Sequence, residues 1–318
     1  MSNHRTNRAV FLPLLLLPAF LLPAFLLSVC LLSVCLGLGV APAMAGNRPD
    51  PVAEQVARGK YIFDAAGCLG CHTDEQHGGP ALAGGRALIT GYGTFYTPNI
   101  TPDPIYGIGS WRVAAFFRAM RSGISRDGTS LLPTFPFTSY AAIDDADLLD
   151  LKAYLMTREP VARPNRPHEL KDPFMLRLMM PGWKLLYHKE GPLNTNPYRS
   201  VQWNRGQYLV RALGHCGECH TPRNWSGAFD ESRAFSGARR SEGGEWAPNI
   251  TPDPETGIGK WSDADLLLLL EIGLLPDGDV IGGSMAEVVR NSTSRLTLAD
   301  RKAILDYLRA VPPVRSGP

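Results

Sequence analysis

Cys68-Leu69-Gly70-Cys71-His72 recurs in kind as Cys216-Gly217-Glu218-Cys219-His220. This spacing attaches c-type haem: the two thiols add to the vinyl groups as thioethers, and the adjacent His offers a nitrogen to the iron. A haem held this way and tuned by its axial ligands carries single electrons. The pairs predict two covalently bound haem c groups, attached at Cys68, Cys71, Cys216 and Cys219, with His72 and His220 as iron ligands. Two other readings compete, a single zinc held by both Cys pairs and a thioredoxin-like redox pair. Both are set aside: His follows each pair, the pairs stand far apart, and no βαβ context surrounds them.

Working outward, the second half of the chain repeats the first. Pro98-Asn99-Ile100-Thr101-Pro102-Asp103-Pro104 returns at 248–254, followed in each case by Gly-Ile-Gly-x-Trp, ending at Trp111 and Trp261. Gly59-Lys60-Tyr61 matches Gly206-Gln207-Tyr208, and 147–155 matches 300–308. Ser262-x-x-Asp265 and Thr297-x-x-Asp300 are helix starts, and Ile304, Leu305 and Leu308 mark a buried helix face. Each repeat reads as helix, haem motif, Gly/Pro-rich loop, helix, loop, helix, with the haem as the core that so little regular structure needs. No strand alternation persists, so the expected class is all-α. The expected plan is two tandem class I-like cytochrome c domains, 46–159 and 201–318, joined by a Pro-rich connector at 160–200. The connector prolines exclude a long helix there, leaving a turn or two at 174–180.

The first 45 residues are set apart from the fold. Arg5 and Arg8 precede an apolar run over residues 10–40, and Ala43-Met44-Ala45 offers a cleavage site before Gly46. Segment 1–45 therefore reads as an export signal, which suits haem attachment on the outer face of a bacterial membrane. The run, lengthened by tandem copies of Leu-Leu-Pro-Ala-Phe and Leu-Leu-Ser-Val-Cys, is also long enough to span a bilayer, so an uncleaved anchor is the alternative. Cleavage would remove Cys30 and Cys35 and leave every remaining cysteine in a haem motif. It would also bring the formal charge of +2 (32 Lys and Arg against 30 Asp and Glu) to about zero. Nothing in this balance points to nucleic acid.

The repeats disagree at the sixth iron ligand, commonly a Met sulfur that raises the potential. Gly282-Gly283-Ser284-Met285 places Met285 in the loop before the last helix, where a distal ligand belongs. Aligned from the Trp onward, the first repeat has Phe135 at that place, which cannot ligate iron. Met120 aligns with Leu270 and reads as core. The remaining candidates are His77, His168, Met175, Met179, Met180 and His188. Arg86 and Arg223 are candidates to pair with haem propionates, with surface ion pairs the alternative. The Pro98 and Pro248 loops should lay a backbone carbonyl on the Nδ1 proton of each motif histidine.

The whole set is similar to the multihaem cytochrome c subunits of bacterial periplasmic alcohol- and gluconate-type dehydrogenases. The resemblance runs from Gly59 to Pro313 and rests on both haem motifs, the Pro-Asn-Ile-Thr-Pro-Asp loops, and Trp203-Asn204-Arg205-Gly206 leading to Gly214-His215-Cys216. Gly282-Gly283-Ser284-Met285-Ala286-Glu287-Val288 completes it. It implies electron transfer from a periplasmic dehydrogenase subunit to a quinone, an oxidase or another cytochrome, in the periplasm and in association with the inner membrane if the N-terminus is retained. His72 and His220 carry over as proximal ligands and Met285 as distal. Phe135, where many members have Met, leaves a second function open: a haem enzyme with an accessible first iron, acting on peroxide or a sulfur anion.

Overall fold

The Asp50 carboxylate accepts the Val52 amide at 3.0 Å, and Pro51 fills the first helical position. A capped helix therefore opens the described chain. The computed structural model describes residues 50–239 and 246–316, the Arg239 side chain excepted. The expectations for segment 1–45, including its apolar run, its cleavage site, Cys30 and Cys35, lie outside the described residues.

The first repeat carries α1 (Pro51–Ala65), α2 (Cys68–His72), β1 (Ala87–Thr90), β2 (Gly93–Tyr96), α3 (Val113–Ser122), α4 (Phe137–Tyr140) and α5 (Asp145–Met156). The connector supplies β3 (Glu169–Leu170) and α6 (Pro173–Tyr187). The second repeat carries α7 (Val201–Tyr208), α8 (Gly217–His220), β4 (Ala238–Arg239), β5 (Trp246–Ala247), α9 (Asp263–Ile272), α10 (Gly283–Asn291) and α11 (Leu298–Ala310). Helix α9 starts with the Ser262/Asp265 capping box, and the Thr297 side chain accepts the Asp300 amide at the head of α11. Helices α3 and α9 both stop at a left-handed glycine, Gly123 and Gly273.

In each repeat the first and last helices cross at a glycine. A Cβ on Gly59 would lie 1.9 Å from the Asp150 carbonyl oxygen, and one on Gly206 the same 1.9 Å from that of Ala303. Phe63 packs on Tyr154, and Trp203 on Tyr307, each with ring centroids 5.1 Å apart. The second repeat has one more residue between its glycine and its haem motif than the first. A π-turn at Leu209–Leu213 absorbs it, with the Gly214 amide donating to the Leu209 carbonyl at 2.7 Å. The motif therefore begins in the same local setting in both repeats.

Two expectations change. The chain is predominantly helical, but it also holds a three-stranded antiparallel sheet, β1-β2-β3, and a two-stranded ribbon, β4-β5. The β1–β2 hairpin turns at Gly91-Tyr92, with Thr90 paired to Gly93, and strands of two to four residues are too short to show an alternating pattern. The connector, expected to hold no more than a turn or two of helix, forms the 15-residue α6 with Pro181 inside it. Asp172 caps that helix by accepting the Met175 amide, Pro173 sits in its first turn, and the bond lost at Pro181 faces outward on a largely exposed helix. Among the described residues no helix is long and apolar enough to cross a membrane.

The repeats pack on each other by exchanging equivalent groups. Tyr61 of the first donates to Asp300 of the second at 2.7 Å, and Tyr208 of the second donates to Asp147 of the first at 2.6 Å. Ser292 donates to the Ala65 carbonyl, Ser139 to Glu218, and Arg295 pairs with Asp64. The fully buried Leu209, Val210 and Leu213 belong to one continuous core with Ile62, Leu148 and Leu151 of the first repeat.

Candidate functional site

Each motif is a single helical turn entered through a left-handed residue, Gly67 at φ 62° and His215 at φ 37°. The Nδ1 of His72 lies 2.8 Å from the Pro98 carbonyl oxygen, and that of His220 lies 2.7 Å from the Pro248 carbonyl oxygen. A carbonyl only accepts, so Nδ1 carries the proton and Nε2 keeps its lone pair. Burial pushes the His72 imidazole below its usual pKa and outweighs the Pro98 bond, which raises it; burial thus favours the neutral ring that a metal ligand needs. The Asn-Ile-Thr part of each loop holds that carbonyl in place. Asn99 accepts the Thr101 amide and hydroxyl, Asn249 those of Thr251, and the Asn99 amide group donates to the Val161 carbonyl.

A second layer repeats as faithfully, and sequence reasoning missed it. The Gly84 amide donates to the His72 carbonyl and the Gly237 amide to that of His220, at 2.9 and 2.8 Å. Leu82 and Phe235 occupy the same left-handed conformation, φ 62° and 63°, each with its amide donated to a Thr hydroxyl just after the motif, Thr73 or Thr221. Strain of this kind at matched positions in both repeats marks a constrained site. Only the Thr after each His was visible in the sequence as a signal.

Both motifs line a predominantly apolar cavity of about 2730 Å³, well above the roughly 300–1,000 Å³ of an ordinary ligand pocket. Burial pushes the Cys68 and Cys216 thiols up to about 12, so neither is a free thiolate poised for thiol exchange. Among the described residues no group of three or more His, Cys, Asp and Glu side chains converges as a metal site. Paired thiols, an imidazole presenting Nε2 and an apolar chamber fit a haem attached at each motif.

Beyond the motifs, the distal sides differ. Met285, expected in a loop, stands in the first turn of α10 and lines the cavity. Gly282 and Gly283 let the helix start early, whereas in the first repeat Pro136 delays α4 until Phe137. Phe135 lines the cavity and packs edge-on against Tyr140, ring centroids 5.6 Å apart. Tyr140 also meets the His215 ring at 5.3 Å and donates to the Ala66 carbonyl, so one aromatic pair links the approaches to the two motifs.

Arg86 and Arg223, the propionate candidates, are engaged with carboxylates: Arg86 with Glu287 at 2.6 Å and Arg223 with Glu218 at 2.5 Å. Of the other sixth-ligand candidates, His77 is exposed and bonded to Asp74, and His188 is bonded to the Arg121 carbonyl. Neither lines the cavity, nor does Met175. His168 lines it, but its Nδ1 accepts the Tyr96 amide on the same strand that leads to Pro98, which is the His72 side. Met120 is buried at the position matched by buried Leu270. Met179 and Met180 line the cavity, the first exposed and the second buried.

Architecture and donor set together define a c-type haem protein. The cytochrome c family model matches residues 56–159. A dihaem cytochrome c-type protein of Cereibacter sphaeroides is 45% identical over 268 residues, covering 82% of this chain and 87% of that one. The chain belongs to the cytochrome c family, whose members bind haem c covalently. It is also similar to the fructose dehydrogenase cytochrome subunit of Gluconobacter japonicus, at 42% identity over 81% of this chain and 52% of that one. The cytochrome c subunit of the quinone-dependent alcohol dehydrogenase of Gluconacetobacter polyoxogenes is 36% identical over 84% of this chain and 58% of that one. The chain thus spans a little over half the length of these two dehydrogenase subunits.

Proposed function

We propose that the chain is a dihaem c-type cytochrome that takes electrons from a periplasmic dehydrogenase and passes them towards the respiratory chain. Cys68 and Cys71 would hold one haem and Cys216 and Cys219 the other, with His72 and His220 as proximal ligands and Met285 as the distal ligand at the second site. Each bound haem supplies a one-electron iron couple. In this reading Pro98 and Pro248 hold each imidazole in one tautomer, and both motifs line one predominantly apolar chamber. Residues 46–159 and 201–318 would be the two domains and 160–200 their connector, with export to the periplasm resting on segment 1–45.

The observation that carries this reading is the closeness of the two motifs across the Tyr140–His215 contact. Two haem sites with a shared chamber suit relay of electrons, and the named relatives are dehydrogenase cytochrome subunits. The acceptor would be a quinone, an oxidase or another cytochrome. The test is haem stoichiometry of the purified holoprotein, then stopped-flow reduction by a dehydrogenase purified from the same cells. Two haems reduced at a common observed rate support the reading; one haem, or inertness towards every donor, sinks it. Phe135 at the first distal side carries a second reading, a haem enzyme. Steady turnover of peroxide or thiosulfate by the isolated protein would favour that reading over relay.

A further inference from the structure

We propose that Met180, from the connector helix, supplies the sixth ligand to the iron of the first site, taking the place that Phe135 cannot fill. The inference rests on the haem reading given above. Helix α6 is apolar along most of its length, and Met180 is its one buried residue, at 5% exposure, lining the same cavity as His72 and Phe135. The helix is fastened so that this face meets the first repeat's distal segment. One turn after Met180, Lys184 donates to the Gly123 carbonyl at 2.8 Å and stands 5.0 Å over the Phe137 ring. His188, a further turn on, bonds the Arg121 carbonyl at 2.7 Å. Residues four apart share a helix face, so the Met180 side chain points towards the segment running from Gly123 to Phe137. That segment carries Phe135.

Three comparisons single out Met180 among the sulfur and imidazole groups. Met120 has an apolar counterpart, Leu270, at a site where Met285 already stands. His168 belongs to the His72 side. Met179, on the next face, is 59% exposed. Trp183 ties α6 to the second repeat by donating to the Ser226 carbonyl at 3.0 Å and touches the Phe137 ring edge-on. The helix is thus held from both sides, as a ligand-bearing segment must be to hold a thioether on iron. A buried Met also fills gaps without ligating anything, so the test reads the iron itself.

The experiment uses the holoprotein. Haem content comes first: fewer than two haems would sink the dihaem reading, and the ligand question is then read on whatever first-site haem remains. Near-infrared magnetic circular dichroism of the ferric protein counts Met-to-iron charge-transfer transitions. Two are expected in the wild type, one lost in Met285→Leu and the other in Met180→Leu. Each substitution should cut the signal to about half and lower the potential of its own haem. Met180→Leu preserves volume, so the fold is kept. Phe135→Met in the Met180→Leu background should restore a second transition, showing that the first site is otherwise intact and that the substitution removed its ligand alone. Met179→Leu should change neither transition. A wild type with a single transition, or a Met180→Leu protein that keeps two, overturns the assignment. A high-spin first haem in the wild type overturns it as well and favours the haem-enzyme reading.

Discussion

Segments 123–137 and 273–287 start as copies and end differently. Each leaves a helix through a left-handed glycine and makes a small turn, then returns an amide to that glycine's carbonyl, Leu131 to Gly123 at 2.7 Å and Ile281 to Gly273 at 2.8 Å. From there two glycines start α10 around Met285, while Pro133 and Pro136 hold the first repeat in turns around Phe135 and shorten its helix to four residues. The proximal sides show no such drift: the His–carbonyl bond, the Thr hydroxyl and the strained residue agree in both repeats. The frame around each motif histidine is shared, and the two repeats differ in the segments that carry Phe135 and Met285.

The largest expected effect tests whether the motifs are equivalent. Replacing Cys68 and Cys71 together by Ser should lower bound haem from two to one by mass, and so should the pair Cys216 and Cys219. If a haem fills the apolar chamber beside each motif, the emptied repeat should lose protease resistance. A pair that keeps both haems would break the comparison.

Gly59→Ala and Gly206→Ala come next. Each would drive a methyl group to 1.9 Å from a backbone carbonyl oxygen, with no flexible side chain to yield. The expected cost is about 3 kcal/mol or more in each repeat, read from urea unfolding of the holoprotein. A marked inequality would mean that one helix crossing carries the fold and the other follows.

Asp300→Asn sharpens the view of the contact between repeats. Burial raises the Asp300 carboxyl's pKa, but bonds from Arg205 and Tyr61 outweigh it and hold the group below its ordinary value near 3.8. Its stabilisation is therefore present above that value and lost as pH falls through the depressed one. At pH 7 the variant should be less stable by about 2 kcal/mol, as for hydrogen bonds to a charged group. The difference from wild type should shrink below pH 4 in acid unfolding followed by circular dichroism. A gap that stays constant through that range would show that Asp300 acts by packing alone.

The smallest effect concerns the exchanged tyrosines. Tyr61→Phe and Tyr208→Phe should each cost about 1 kcal/mol. Tyr61→Phe leaves Asp300 still held by Arg205 at 2.6 Å, so it should be the milder of the two. Thermal unfolding of both singles and the double variant reads this directly, and the reverse order would show the exchange to be less symmetric than its distances.

Much of this was legible beforehand because it is local. The helical turn at each Cys-x-x-Cys-His motif, the caps at Ser262 and Thr297, and the carbonyl partners Pro98 and Pro248 are each read from residue types at short spacing. The misses are non-local or marginal. Helix α6 was masked by its prolines, although Pro173 at the start of a helix is favourable and Pro181 is tolerated on an exposed face. The strands are too short to show a period. Met285 moved from loop to helix because two glycines permit an early start that its neighbours do not announce.

The sequence alone set out two equivalent Cys-x-x-Cys-His motifs and with them the expectation of a haem at each, because thioether formation depends on covalent spacing within five residues and the repeat is written in the order of the chain. Only the tertiary structure decided that Tyr61 and Tyr208 reach into each other's repeats, that His215 meets Tyr140 between the motifs, and that Met180 is the buried residue of the connector helix. Those outcomes depend on which apolar surfaces are buried together across long separations in the chain, and local spacing carries no record of that choice.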